Sequence, residues 1–216
     1  MPSGRLDAMA SQKTQLGRRE QNKAEKWQRI VGAAAKLFAE RGYEGTTTTE
    51  VARAAGIGTG SLFLYVPTKE HLLVAVFRDQ VDAAWHLAVA GIDPSQPFQS
   101  QIECLLFSVI DFCEQSPELL SMYVKILPFI SGPLRSEASE SLKTHRRLME
   151  EVIGTAIANR LLQRNVPIAT LAANLDALFT HHLRRRVAGS TTATECRTEF
   201  SDSIELQLRG LVPKRR

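Results

Sequence analysis

Small and hydroxylated side chains bracket a lone glycine in "TTTTEVARAAGIGTGSLFLYV", Thr46 to Val66. Thr47, Thr48 and Thr49 precede Gly56, while Thr59, Gly60 and Ser61 follow it. The chemistry open to such groups is hydrogen bonding at close range. Short polar side chains let a helix approach base edges, and free backbone amides at a helix start can meet phosphate. Bond-making chemistry has little support elsewhere. The five histidines, His71, His86, His145, His181 and His182, stand at no metal-ligand spacing, and there is no nucleophile elbow, phosphate loop or paired-carboxylate pattern. Neither a metal nor a cofactor is expected, and an enzyme is the weakest of the function classes. Cys104, Cys113 and Cys196 are far apart, and no CxxC pair is present. They read as free thiols, with Cys104 and Cys113 buried in apolar company.

The elements that must hold these residues can be read from their ends. Thr47 followed three residues later by Glu50 fits a capping box, so a helix starts at about Thr48. Gly56 supplies the left-handed residue that ends it after two turns. Ile57 and Leu62 flank the next helix start, and Pro67 closes the unit. Two helices this short cannot stand alone, so they must pack on each other and on a preceding helix. That helix begins at Lys23, with Trp27, Ile30, Val31, Ala34, Ala35 and Phe38 at helical spacing, and stops at Gly42. Counted from Thr48, Val51, Ala52, Ala55, Gly56, Ile57 and Leu62 fall in the order of apolar and small residues that a helix-turn-helix packs.

Charge placement points the same way. Residues 1–73 hold 11 Lys and Arg against 7 Asp and Glu, whereas residues 74–216 hold 16 of each. The whole excess of +4 thus lies in the first third, which suits a polyanion such as nucleic acid and suits equally a solvated surface. Residues 1–22 are polar and show no sustained helical stripe, so a flexible basic arm is expected there. No apolar run is long enough for a membrane span and the chain start lacks a signal-like stretch, which predicts a cytoplasmic protein.

The remainder reads as helices punctuated by proline and glycine, with no period-2 strand. Thr68 is placed to cap a helix from Lys69 to about Gly91. Others run from about Phe98 to Ser116, Glu118 to Ile130, Arg135 to Arg164, Ile168 to Val187 and Thr192 to Leu211. The fold class is therefore all-α with about nine helices. The segment at 98–116 is apolar nearly all round, which places it in the middle of a bundle.

The stretch "FAERGYEGTTTTEVARAAGIGTGSLFLYVPTKEHLL" resembles the DNA-binding region of the tetracycline-repressor (TetR) family of bacterial transcriptional regulators. Phe38, Gly42-Tyr43, Thr46-Thr47, Val51-Ala52, Ala55-Gly56, Gly60, Leu62, Tyr65 and Lys69-Glu70 with Leu72 carry the resemblance. It implies an N-terminal three-helix DNA-binding domain at 23–68 and a helical ligand-binding and dimerisation domain at 69–216. It also implies a homodimer that sets two recognition helices in successive major grooves of a palindromic double-stranded DNA operator. By position, Thr48, Thr49, Thr59, Gly60, Ser61 and Phe63 would face bases or nearby backbone, and Thr47, Tyr65 and Lys69 would hold phosphates. This chain departs from the family at Gly58, where a capping Ser is usual, at Phe63, where Tyr is usual, and at Val66, where Phe is usual. No Arg, Asn or Gln stands in the recognition helix, so modest direct readout and some dependence on DNA shape are expected.

For the second domain the resemblance implies a dimer interface on the last two long helices and an effector cavity among those before them. Leu171, Leu175, Leu178 and His182 form one stripe flanked by Phe179, which fits an interface and fits equally a stripe buried within one protomer. Candidate cavity walls are Trp85, His86, Phe107, Asp111, Met122, Tyr123, Phe129 and Met149, a lining for an apolar or aromatic effector with Asp111 or His86 fixing a polar group. The expected function is a repressor released by a small effector. The alternative is a DNA-binding regulator, activating or partner-controlled, with no small effector.

Overall fold

Helical periodicity organises the chain throughout. The computed structural model describes residues 4–213, and among them the regular structure consists of nine α-helices and a 3-10 turn at Leu127–Phe129. In chain order these are α1 (Gly4–Arg41), α2 (Thr48–Ala54), α3 (Thr59–Phe63), α4 (Lys69–Ala90) and α5 (Phe98–Glu114). They are followed by α6 (Pro117–Ile126), α7 (Pro133–Ala158), α8 (Ile168–Val187) and α9 (Ala193–Leu208). The all-α class is thus the observed one. The chain divides into two units, Met1–Val76 and Phe77–Arg216.

In the first unit Ile30, Ala34 and Phe38 of α1, Val51 and Ala52 of α2 and Leu62 of α3 are all buried, and α2 packs against both α1 and α3. Trp27 stacks on Tyr65 with ring centroids 6.4 Å apart, and Phe38 leans on Tyr43 at 5.4 Å. Helix α1 begins at Gly4, so it takes in most of the segment expected to be an arm; residues 1–3 lie outside the described residues. Local propensity explains the longer helix. The added stretch is rich in good helix formers, among them Leu6, Ala8, Met9, Ala10, Gln12, Lys13, Gln15 and Leu16, so it needs no apolar stripe to be helical.

The second unit is built around α5. Ile102, Leu105, Leu106 and Val109 of α5 are buried with Ile153 of α7, Leu175 of α8 and Phe200 of α9. Helix α5 is not apolar all round as its sequence suggested: Ser100, Cys104, Ser108 and Asp111 form an exposed stripe. Cys104 is accordingly exposed, a correction to its expected burial, while Cys113 and Cys196 are buried. Helix α7 ends at Ala158, short of the expected Arg164, because Arg160 takes a left-handed φ of 62° and turns the chain so that Leu162 enters the core.

Candidate nucleic-acid interface

The first turn of α2 is closed by a reciprocal cap. The Glu50 amide donates to Thr47 Oγ1 at 3.2 Å, and Glu50 Oε2 accepts the Thr47 amide at 2.9 Å. The Thr47 hydroxyl also donates to Glu50 Oε2 at 2.8 Å. These hydrogen bonds from Thr47 hold the Glu50 carboxyl below its ordinary pKa, with Arg41 at 3.0 Å adding a smaller attraction. The one proton of the Thr47 hydroxyl is therefore committed to the cap, so the phosphate role expected of Thr47 requires that hydroxyl to leave Glu50. Thr48 and Thr49 carry no such commitment, and Thr49 is exposed.

Helix α2 ends in a full Schellman arrangement. The Gly56 amide donates to the Arg53 carbonyl at 3.1 Å and the Ile57 amide to the Ala52 carbonyl at 3.0 Å, with Gly56 at φ 69°. This corner fixes the departure of α3. Gly58 caps α3 in an extended conformation with no side-chain hydrogen bond; the Ser61 amide donates to the Gly58 carbonyl at 2.9 Å, and the Thr59 and Gly60 amides are left as donors without an intrahelical partner.

Leu62, fully buried, anchors α3. At about 100° per residue, Gly60 and Leu64 both lie about 160° from that anchor and so point away from the unit. Burial agrees: Leu64 is 86% exposed and Phe63 47%. Gly60 and Ser61 are exposed and Thr59 is half-buried. The outward face therefore unites Gly60, Ser61 and Phe63, with the half-buried Thr59 at its edge, and adds Leu64, which the motif alone does not mark. The signal was available, since Leu64 stands one helical turn after Gly60.

Tyr65 and Lys69 are held by aromatic contacts. Tyr65 lies half-buried against Trp27, and Lys69 Nζ sits 4.1 Å above the centre of the Tyr43 ring. Burial, and then the nearby Glu70 and Glu44 charges, push the Tyr43 phenol up to about 12, so it stays neutral beneath the ammonium. A second device was invisible in the motif. A methyl at Gly45 would stand 2.4 Å from the Arg41 carbonyl oxygen, so only glycine lets this turn close. Beside it, the buried Thr46 hydroxyl sits 2.9 Å from the Gly42 carbonyl oxygen and 3.2 Å from that of Leu37.

A cavity of about 250 Å3 lies within the second unit, with Phe77, Val81 and Trp85 of α4 among its walls. Of the eight residues expected to line a cavity, it brings together Trp85 and Tyr123. His86 is exposed, turned about 100° around α4 from the buried Trp85. Asp111 is exposed and paired with Arg197, whose guanidinium lies 4.6 Å over the Phe107 ring. Phe129 is 84% exposed, Met149 is sealed in the core, and Met122 is half-buried without lining the space. A polar group deep in the wall is instead His145, which nothing in its sequence neighbourhood singles out; Arg146, Asp176, Thr180 and Arg184 also line the space. Its ring stacks on Trp85 at 4.8 Å and its Nε2 meets Asp82 Oδ1 at 2.6 Å. Burial opposes ionisation of Asp82, but hydrogen bonds from His145 and Ser141 outweigh it and hold the carboxyl below its ordinary value.

The stripe on α8 faces inward. Leu171, Leu175, Phe179 and His182 are buried within the protomer and Leu178 is half-buried against the same core. Regular spacing put these residues on one face, and the core of their own unit covers that face. This corrects their assignment to a dimer interface.

Comparison with known proteins places residues 30–76 under the sequence profile of bacterial regulatory proteins of the tetR family. The HTH-type transcriptional regulator YhgD of Bacillus subtilis is 31% identical over 38% of this chain and 44% of its own length. This chain thus spans less than half of that relative. The HTH-type transcriptional repressor AcnR of Corynebacterium efficiens is 26% identical over 84% of this chain and 92% of its own. Among solved structures, a TetR transcriptional regulator from Rhodococcus sp. RHA1 superposes with a TM-score of 0.62 at 20% identity, covering 86% of this chain and 96% of the other. Among the described residues no helix is long and apolar enough to cross a membrane.

Proposed function

Because this chain belongs to the TetR family of bacterial regulatory proteins, we propose that it is a cytoplasmic transcriptional repressor that binds a palindromic operator as a homodimer and leaves it when a small effector binds. The observation that carries the DNA-binding half is the outward face of α3. Gly60, Phe63 and Leu64 project from a short helix whose only buried anchor is Leu62. The free amides of the first turn stand ready for phosphate. Two such helices spaced by about 34 Å would enter successive major grooves. Thr48, Thr49, Thr59, Ser61 and Phe63 are assigned to the duplex, Tyr65 and Lys69 to its phosphates.

The effector half rests on the cavity. Helix α4 carries Lys69 near its start and Trp85 in the cavity wall, so a ligand that favours one position of α4 also biases the segment that bears a phosphate contact. The test is a gel shift with the DNA upstream of the gene itself, together with light scattering for the mass of the complex. Binding with Kd between about 10⁻⁸ and 10⁻¹¹ M that weakens steeply with salt is expected. A monomer with no preference among duplexes would refute the reading.

A further inference from the structure

The cavity has an asymmetric wall. Most of it is apolar, with Phe77, Val81, Trp85, Leu120, Phe179 and Leu183 among the lining residues. The ionisable groups inside it carry no free negative charge. Burial pushes the Cys113 thiol up to about 12 and the Tyr123 phenol above its ordinary value, while His145 faces Asp82 through Nε2.

Charge gathers at one edge, where α8 contributes Asp176, Thr180 and Arg184 on successive turns and α7 contributes Arg146. Arg146 is matched by Asp176 at 3.3 Å. Arg184 has no carboxylate within 4.0 Å among the described residues, so the edge carries one uncompensated positive charge, with the Thr180 hydroxyl one turn away.

We infer that the effector of this cavity is a small amphipathic anion, its apolar body between Trp85 and Phe179 and its acidic head at Arg184 and Thr180. This rests on the ligand-responsive reading above and specifies its chemistry. A neutral apolar ligand filling the space would cover part of the Arg184 guanidinium without replacing its water, and a cation would be repelled by it. A carboxylate or similar head restores those hydrogen bonds in charge-assisted form. Volume bounds the body: about 250 Å3 lies just below the range of about 300–1,000 Å3 typical of drug-sized ligands. An eight-carbon chain is therefore a suitable probe.

The experiment titrates the full-length protein calorimetrically with octanoate, octanol, octylammonium and benzene. Octanoate should bind about tenfold more tightly than octanol, with octylammonium weakest. Arg184→Gln, at an exposed position, should remove that advantage and leave octanol unchanged. Asp176→Asn, which frees Arg146, should raise octanoate affinity. Octanol binding as tightly as octanoate, or an octanoate advantage that survives Arg184→Gln, would overturn the anion assignment. Benzene binding with no gain from any charged head would overturn it while leaving a ligand-responsive cavity in place. No binding by any of the four would remove both.

Discussion

Replacing Leu64 by alanine tests the outward face of α3 most directly. Leu64 is 86% exposed, so the change removes almost no intramolecular contact. Unfolding should shift by no more than about 0.5 kcal/mol, as at most surface positions. On DNA the same exposure becomes burial. Covering a leucine fully is worth about 1.5–3 kcal/mol, and with half of the side chain covered, truncation to alanine loses about 1 kcal/mol per protomer. Two protomers on one operator bring the loss to about 2 kcal/mol, or roughly 30-fold in Kd. Since leucine is uncharged, the slope of affinity against salt should not change. The major-groove group that suits a leucine is the thymine methyl. Deoxyuridine in place of contacted thymines should therefore weaken the natural protein and leave the alanine variant indifferent. Fluorescence anisotropy on an operator selected from random duplexes measures both quantities. An unchanged Kd for Leu64→Ala would refute the claim that this face reads DNA.

The remaining predictions concern the devices around that face and the cavity wall. Lys69→Ala should weaken all sequences alike and lower the salt slope by about one per protomer; an altered sequence preference with an unchanged slope would count against the phosphate role. Gly45→Ala drives a methyl against the rigid Arg41 carbonyl and should cost about 1–3 kcal/mol in denaturant unfolding. Gly60→Ala, with nothing within 4 Å of the new methyl, should leave unfolding nearly unchanged. Asp82→Asn should destabilise by about 2 kcal/mol near neutral pH. Because the folded-state pKa of Asp82 is depressed, its contribution is complete above the ordinary carboxyl range and is lost as pH falls through the folded value. The gap between the natural protein and the variant should therefore close on acidification, and a gap that widens would show the wrong sign.

What the sequence revealed depended on how local each cause was. The Thr47–Glu50 cap and the Gly56 corner are complete within a few residues, so the order of amino acids is enough to find them. The same holds for α8, with bounds set by Pro167 and by the loss of periodicity after Val187. Periodicity could not say what covers the Leu171–Leu175 stripe, because that depends on which helix packs there. The true end of α7 was hidden for a related reason: Leu161 and Leu162 prolong the apolar pattern, while the reversal lies in a single backbone angle at Arg160. In the cavity, Trp85 and Tyr123 could be named from type and position. His145, Asp176 and Arg184 could not, since helices distant in sequence bring them to one space.

The brevity of α3 has an evolutionary consequence. Its only buried residue is Leu62, and its direction is imposed by the glycine corner before it, so positions 60, 61, 63 and 64 answer to almost nothing inside the protein. Substitutions there can accumulate without eroding the scaffold, and a lineage can retarget such a regulator to a new promoter by redrafting four neighbouring codons.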